Sequence, residues 1–159
     1  LSSLPRSLHY LNARILQMHD VWHLVAGYTT NSSNEIAISA FQLAQFGHNY
    51  SAMFLAAVTT MSTVKEPKGF TILMQLIMEA WQHGRATPVM MDIVWENEWN
   101  NSLESIRSKY SIPIYRSVFP ADLLESIENP SLWKRLAMVF QLLRYNFQLR
   151  HGRLRAITQ

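Results

Sequence analysis

No cysteine occurs anywhere in the chain. That absence removes disulfide scaffolds, thiolate zinc sites, iron–sulfur clusters and cysteine nucleophiles in one step. Charge is scarce as well: Asp, Glu, Lys and Arg make up 16% of the 159 residues, against about 25% in ordinary soluble domains. With 48% hydrophobic residues the composition is not that of a disordered chain. Five glycines and six prolines exclude collagen-like and low-complexity character. Strand-type alternation, two-residue hairpin signals and internal repeats are all missing. A chain of this length holds one domain. The expected fold is therefore all-α, a single helical domain over residues 1–159 with about seven or eight helices around an apolar interior or lipid slot.

What is present is helical periodicity. Leu8, Leu11, Ile15, Met18 and Trp22 recur at three- and four-residue spacing, which predicts a first helix over about Ser7–Gly27. Ser32-Ser33-Asn34-Glu35 has the form of a capping box opening a second helix that ends near Gly47. A third is expected over Tyr50–Val64, and a fourth over Phe70–His83 with Gly84 as its stop signal. Thr87-Pro88 predicts another helix start, and Ser102–Tyr110 a short one. Pro113–Pro120 has the composition of a connecting loop. Asp122–Glu128 and Ser131–Arg150 are the last two expected helices.

Charge is unevenly placed. Lys134, Arg135, Arg144, Arg150, Arg153 and Arg155 face no acid between residues 134 and 159. This basic end, interleaved with aromatics, is either a solvated helix edge or a surface for anionic lipid. No nucleic-acid motif accompanies it, so no nucleic-acid partner is expected. From Ile36 to Val64, 29 residues pass without one charged side chain. Polar residues around Gly47 and His48 divide that run into two helices too short to span a bilayer singly. Buried helices are expected there, enclosing either a solid core or a lipid-sized cavity. So apolar a composition also favours a homo-oligomer.

His19, Asp20 and His23 stand on the first helix. Positions i and i+4 lie about 40° apart, so both imidazoles project side by side. Metal enzymes use that spacing in H-E-x-x-H. Glu35 follows twelve residues after His23, and an antiparallel second helix can return it to the first. Two imidazoles and up to two carboxylates suit zinc, iron, manganese or cobalt without choosing among them. Fewer than four protein ligands leave a position for water or substrate. Against this stands a purely structural arrangement, in which Glu35 completes a capping box and the histidines form a polar stripe. A metal-dependent phosphohydrolase would need further ligands, for which only His9 and Asp92 are on offer.

The segment His19-Asp20-Val21-Trp22-His23-Leu24-Val25-Ala26-Gly27, then Glu35, then Ala40-Phe41-Gln42-Leu43-Ala44-Gln45-Phe46-Gly47, strongly resembles the Coq-four family of coenzyme Q (ubiquinone) biosynthesis proteins. Trp81-Gln82-His83-Gly84-Arg85, Trp95-Glu96 and Ser102-Leu103-Glu104-Ser105-Ile106-Arg107 extend the resemblance, which covers residues 14–112 and leaves 113–159 as a helical extension. Asn34 stands where the family usually has glycine before the glutamate.

The resemblance implies a helical protein on a membrane face that binds a polyprenyl-tailed precursor. Members are assigned to removal, with hydroxylation, of the carboxyl at C1 of the precursor ring, and are described as organisers of the quinone synthesis complex. Carried over, the metal set is His19, Asp20, His23 and Glu35, with Asp20 as ligand or proton shuttle. One divalent metal is implied: zinc first, with iron, cobalt or magnesium as alternatives. Apart from the resemblance, Phe41, Met53, Phe54, Met74 and Met78 are candidates for lining a prenyl slot, with core filler as the alternative reading of the methionines, and Arg85 is a candidate to assist a phosphate head group by charge. The implied partners are the prenylated aromatic, a membrane surface and other quinone biosynthesis proteins. The location would be the cytoplasmic membrane face in a bacterium and the matrix side of the inner mitochondrial membrane in a eukaryote. The competing expectation is a prenyl-lipid or prenyl-phosphate binding scaffold without turnover.

Overall fold

The structure, a computed structural model, describes residues 5–120 apart from Glu66 and Lys68, together with Arg144 and Phe147. Among them are five α-helices and no strand: α1 (Arg6–Ala26), α2 (Ser32–Phe46), α3 (Asn49–Lys65), α4 (Phe70–Ala86) and α5 (Leu103–Tyr110), with a 3-10 turn at Trp95–Asn97. The expected all-α class holds. The helices expected after Asp122 lie outside the described residues.

α1 buries Ile15, Met18 and Trp22 of the predicted stripe and extends it through Val25 and Ala26, whereas Leu8 and Leu11, in its first turns, are exposed. It ends at Gly27, whose φ of 84° is left-handed. A Cβ there would also sit 2.6 Å from Ile114 Cγ2, so glycine answers two demands at once. The Arg107 guanidinium donates to the Val25 and Leu24 carbonyls at 2.8 and 2.7 Å, placing a cation at the negative end of the helix.

α2 is the central helix. Ala37, Ile38, Ala40 and Phe41 are all fully buried, and α2 packs against both α3 and α4. Its N-terminus differs from the expected capping box by one register. Asn31 is the cap, its Oδ1 accepting from Asn34 N–H at 2.9 Å, so Glu35 falls one place beyond the box and is free for other work. Asn34 occupies ordinary helical backbone, needs no glycine, and ties the turn through Nδ2 to Thr29 Oγ1 at 2.8 Å.

Two expectations for α4 are corrected. Gly84 does not stop the helix, which continues to Ala86. Its hydrogen is required instead by packing: a Cβ would lie 2.8 Å from both Ala44 Cβ and the Phe41 carbonyl oxygen of α2. No helix starts at Thr87 either. Thr87 Oγ1 donates back to His83 O at 2.7 Å, ending α4. Gln45 from α2 then binds the stretch that follows, donating to Gly84 O and Thr87 O and accepting from Met90 N–H. Of these groups Thr87 O is the one that a helix starting at Pro88 would need, as acceptor of its first intrahelical bond.

The expected loop after Ile112 is a strap. Tyr115 N–H donates to Ala26 O at 2.8 Å, and Tyr115 stacks on Tyr28 at 4.3 Å between ring centroids. Buried Glu79 accepts from Ser117 Oγ at 2.9 Å and Val118 N–H at 3.3 Å. His83, half-buried in the last turn of α4, pins the strap to the turn after α1. Its Nε2–H donates to Pro113 O and its Nδ1 accepts from Tyr28 O–H, each at 2.8 Å. Burial holds its pKa down, consistent with a neutral ring carrying one donor and one acceptor. Trp95 is buried, whereas Trp81 and Trp99 are exposed.

Candidate metal centre

His19 and His23 project from α1 one turn apart, as the i, i+4 spacing requires. α2 returns antiparallel across the short 27–31 turn and sets Glu35 opposite them. His23 Nε2 lies 3.1 Å from His19 Nε2 and 3.3 Å from Glu35 Oε1, and His19 Nε2 lies 3.4 Å from Glu35 Oε2. Metal-ligand bonds of about 2.0–2.1 Å in a tetrahedron put neighbouring ligand atoms about 3.3 Å apart. The three side chains thus match one face of such a polyhedron, and among the described residues they form the one His/Asp/Glu cluster with that potential. Asp20 is exposed and does not join them. It stands about 100° round the helix from His19. His9 and Asp92 are exposed and also lie outside the cluster.

Orientation of the imidazoles is built in. His23 is buried, and its Nδ1 lies 3.3 Å from the Tyr28 carbonyl, which can only accept. Nδ1 therefore carries the proton and Nε2 offers its lone pair to the centre. On the other side, Gln42 Nε2 lies 2.8 Å from His19 Nδ1. Gln42 Oε1 accepts from Ser51 Oγ at 3.1 Å, and Ser51 Oγ lies 2.9 Å from His48 Nδ1. Burial, with a smaller contribution from the nearby His19, holds the His48 pKa below its ordinary value.

His19, Glu35 and the Gln42–Ser51–His48 file line a cleft of about 280 Å³, with His23 buried behind them. His19, Glu35, Ser39, Gln42, His48 and Ser51 supply its polar side, while Ile15, Leu16, Tyr50 and Phe54 supply the apolar side. Glu35, Ser39 and Gln42 follow one another at spacings of four and three, a single face of α2. That spacing relative to Glu35 is the one sequence signal that marks Gln42 within the uncharged run. Of the six candidate lipid-binding residues, five for the slot and Arg85 for a head group, Phe54 lines this cleft. The others do not share its face: Phe41 is fully buried in the core, Met74 is half-buried, and Met53, Met78 and Arg85 are exposed.

An all-helical protein with a His-His-Glu centre at the base of an amphipathic cleft is the class that fold and site define. Its relatives are specific. Residues 5–115 match the family described as coenzyme Q (ubiquinone) biosynthesis protein Coq4. The human mitochondrial ubiquinone biosynthesis protein COQ4 homolog is 28% identical over 105 residues, covering 66% of this chain and 39% of the relative. The Danio rerio homolog is 26% identical over 124 residues, covering 78% and 44% respectively. A crystal structure of a protein from Nostoc punctiforme PCC 73102, described as one of ubiquinone biosynthesis, superposes with a TM-score of 0.61 at 30% identity, covering 69% of this chain and 55% of that one. The chain belongs to the Coq4 family, which is one of ubiquinone biosynthesis. It spans about two-fifths of the length of the human and rat relatives.

Proposed function

We propose that this chain carries the metal-binding and ring-binding core of a ubiquinone biosynthesis protein that acts at C1 of a polyprenyl-tailed hydroxybenzoate. The observation that supports it above all is the 3.1–3.4 Å spacing of the His19, His23 and Glu35 ligand atoms at the base of the cleft. His19, His23 and Glu35 would hold one divalent metal, zinc first among the candidates, with Asp20 as a fourth ligand or proton shuttle after side-chain rearrangement. When bound, the metal would supply Lewis-acid stabilisation of negative charge as carbon dioxide leaves; a redox metal such as iron would, with dioxygen and two electrons from an external reductant, supply the oxygen of the entering hydroxyl, the second oxygen atom leaving as water.

The chain's own residues bind and orient. A cleft of about 280 Å³ is at the small end for ligand sites and fits an aromatic head group better than a whole prenylated molecule. Ile15 and Phe54 flank the ring, while Ser39 and His48 face its polar substituents. The tail would leave past Leu16 and Tyr50, which line the cleft and are 68% and 70% exposed. Beyond them the outer face of α3 presents Met53, Met61 and Val64, with no charge between Ile36 and Val64. Such a patch suits contact with lipid or with other quinone biosynthesis proteins. No helix of the described residues is long and apolar enough to cross a membrane, so contact would be at its surface.

A second reading, a prenyl-lipid binding scaffold without turnover, is favoured by one feature: Asp20 lies outside both the cluster and the cleft lining. One experiment separates the two. Elemental analysis of the purified protein should give about one metal per chain, lost in His23→Ala while the helical circular dichroism persists. The metal-loaded protein is then incubated with a prenylated 4-hydroxybenzoate under oxygen with a two-electron reductant such as ascorbate. Carbon dioxide and a ring hydroxylated at C1 support the enzyme. Stoichiometric retention of the unchanged acid supports the scaffold, and no metal in either protein refutes the site.

A further inference from the structure

A file of hydrogen-bonding side chains leads from His19 to His48: His19 Nδ1, Gln42, Ser51 Oγ and His48 Nδ1, with separations of 2.8, 3.1 and 2.9 Å. Gln42 and Ser51 are 3% and 1% exposed, so their polar atoms must satisfy one another. The direction of the file follows. Gln42 Nε2 only donates, so His19 Nδ1 is a lone pair and the His19 proton sits on Nε2. There it faces His23 Nε2, which accepts because the proton of His23 is committed to Tyr28 O. At the other end Ser51 donates to Gln42 Oε1, so its oxygen accepts from His48 Nδ1–H. Every donor in the file points towards the centre.

A metal held by His19 Nε2 needs that nitrogen without its proton. We propose, resting on the metal-centre reading above, that metal loading reverses the whole file and converts His48 from an acceptor to a donor in the cleft. Gln42 turns its amide end for end, which exchanges O and N without moving the rest of the side chain. Its Oε1 then accepts from His19 Nδ1–H, and its Nε2 donates to Ser51 Oγ. Ser51 swings its hydroxyl to donate to His48 Nδ1, and the His48 proton is found on Nε2. Protons balance: each imidazole stays neutral, and each proton that leaves one ring nitrogen is replaced through solvent on the other. His48 lines the same cleft as His19 and Glu35. The loaded centre therefore adds an N–H donor for a carboxylate or phenolate oxygen that the metal-free arrangement does not offer. Gln42 is a positioning residue, acting through His19 and Ser51.

The test is long-range ¹H–¹⁵N NMR of uniformly labelled protein with and without one equivalent of zinc, reading the tautomers of His19 and His48. The wild-type protein should show His48 as Nδ1–H without zinc and Nε2–H with it. Gln42→Glu should bind zinc, because a carboxylate accepts from His19 Nδ1–H. It also accepts from Ser51, so His48 should remain Nδ1–H. Gln42→Leu should lose about 10- to 100-fold in zinc affinity. A His48 tautomer that ignores zinc in the wild-type protein, or that switches equally in Gln42→Glu, overturns the proposal while leaving the metal centre standing. Wild-type protein that takes up no zinc, with all histidine signals unchanged, overturns the centre and the proposal together.

Discussion

Two carboxylates, Glu98 and Glu35, show how differently one protein can treat the same chemical group. Glu98, just past the 3-10 turn, is 3% exposed and saturated with donors. It accepts from Lys109 Nζ, Tyr110 O–H and Asn101 Nδ2, each at 2.7 Å. Those bonds hold its pKa down at about 2. Glu35 is far more open, its side chain 41% exposed against 3% for Glu98, and it faces two imidazoles at 3.3–3.4 Å. A carboxylate meant to hold the fold is given dedicated donors, whereas one meant to receive a ligand keeps its lone pairs uncommitted.

Removing the charge from each tests that distinction most strongly. Glu35→Gln should abolish tight metal binding while leaving the metal-free melting temperature nearly unchanged, since a part-exposed residue outside the core alters stability by about 0.5 kcal/mol or less. Stabilisation on adding metal, worth about 2.7 kcal/mol at a hundredfold excess over Kd, should vanish with it. Glu98→Gln should do the reverse, lowering the melting temperature at pH 7 and leaving metal uptake at one per chain. Its pH dependence has a definite sign. The folded pKa is depressed from 4.5 to about 2, so the contribution is full above pH 4.5 and fades as pH falls towards 2. Glu98→Gln should flatten the acid limb in that window. Glu96, held near 2 chiefly by its hydrogen bonds to Arg14, keeps its own share of the slope. Equal loss of metal binding in both variants would erase the contrast.

Gly84→Ala probes how the centre's helix is held. Alanine gains about 1 kcal/mol of helix propensity over glycine. Here the new Cβ would lie 2.8 Å from backbone oxygen of Phe41 and from Ala44 Cβ, and overpacking of that kind costs about 1–3 kcal/mol. Net destabilisation by thermal melting is expected, and a more stable variant would show that α2 can move off α4 freely. Because α2 carries Glu35 and Gln42, the metal affinity should weaken in step.

The sequence made the helices legible because their signals are local. The Leu8–Trp22 periodicity, the breaks at Gly27 and Gly47, and the start expected at Ser102 place four boundaries to within a residue or two. His19, His23 and Glu35 were equally visible, since an i, i+4 pair and a helical hairpin suffice to gather them. What stayed hidden depends on partners distant in the chain. Gly84 has the form of a stop signal until Phe41 is set against it. Thr87-Pro88 has the form of a helix start until Gln45 takes the Thr87 carbonyl. His83 is indistinguishable from a surface histidine without Tyr28 and Pro113. Gln42 and Ser51 carry no charge and match no motif, and their role exists only once His19 and His48 stand at either end.

The smallest effect bears on the same contrast through two helix caps. Asn31 Oδ1 accepts from Asn34 N–H at 2.9 Å and Ser102 Oγ from Ser105 N–H at 3.2 Å. Alanine at either position should cost about 1 kcal/mol, the ordinary worth of such a cap. Stability alone would not tell them apart, but their neighbours do. Asn31 starts the helix that places Glu35 four residues later, and Glu35 N–H donates to the Asn31 carbonyl at 2.9 Å. Fraying there moves a ligand. Ser102 starts α5, which carries the Lys109 and Tyr110 donors to Glu98 and none of the centre. Asn31→Ala should therefore weaken metal binding several-fold while Ser102→Ala leaves it unchanged at matched loss of stability, as isothermal titration with zinc would measure. Equal affinities in the two variants would mean that Glu35 is positioned by the packing of α2 against α4, and not by the turn that leads into it.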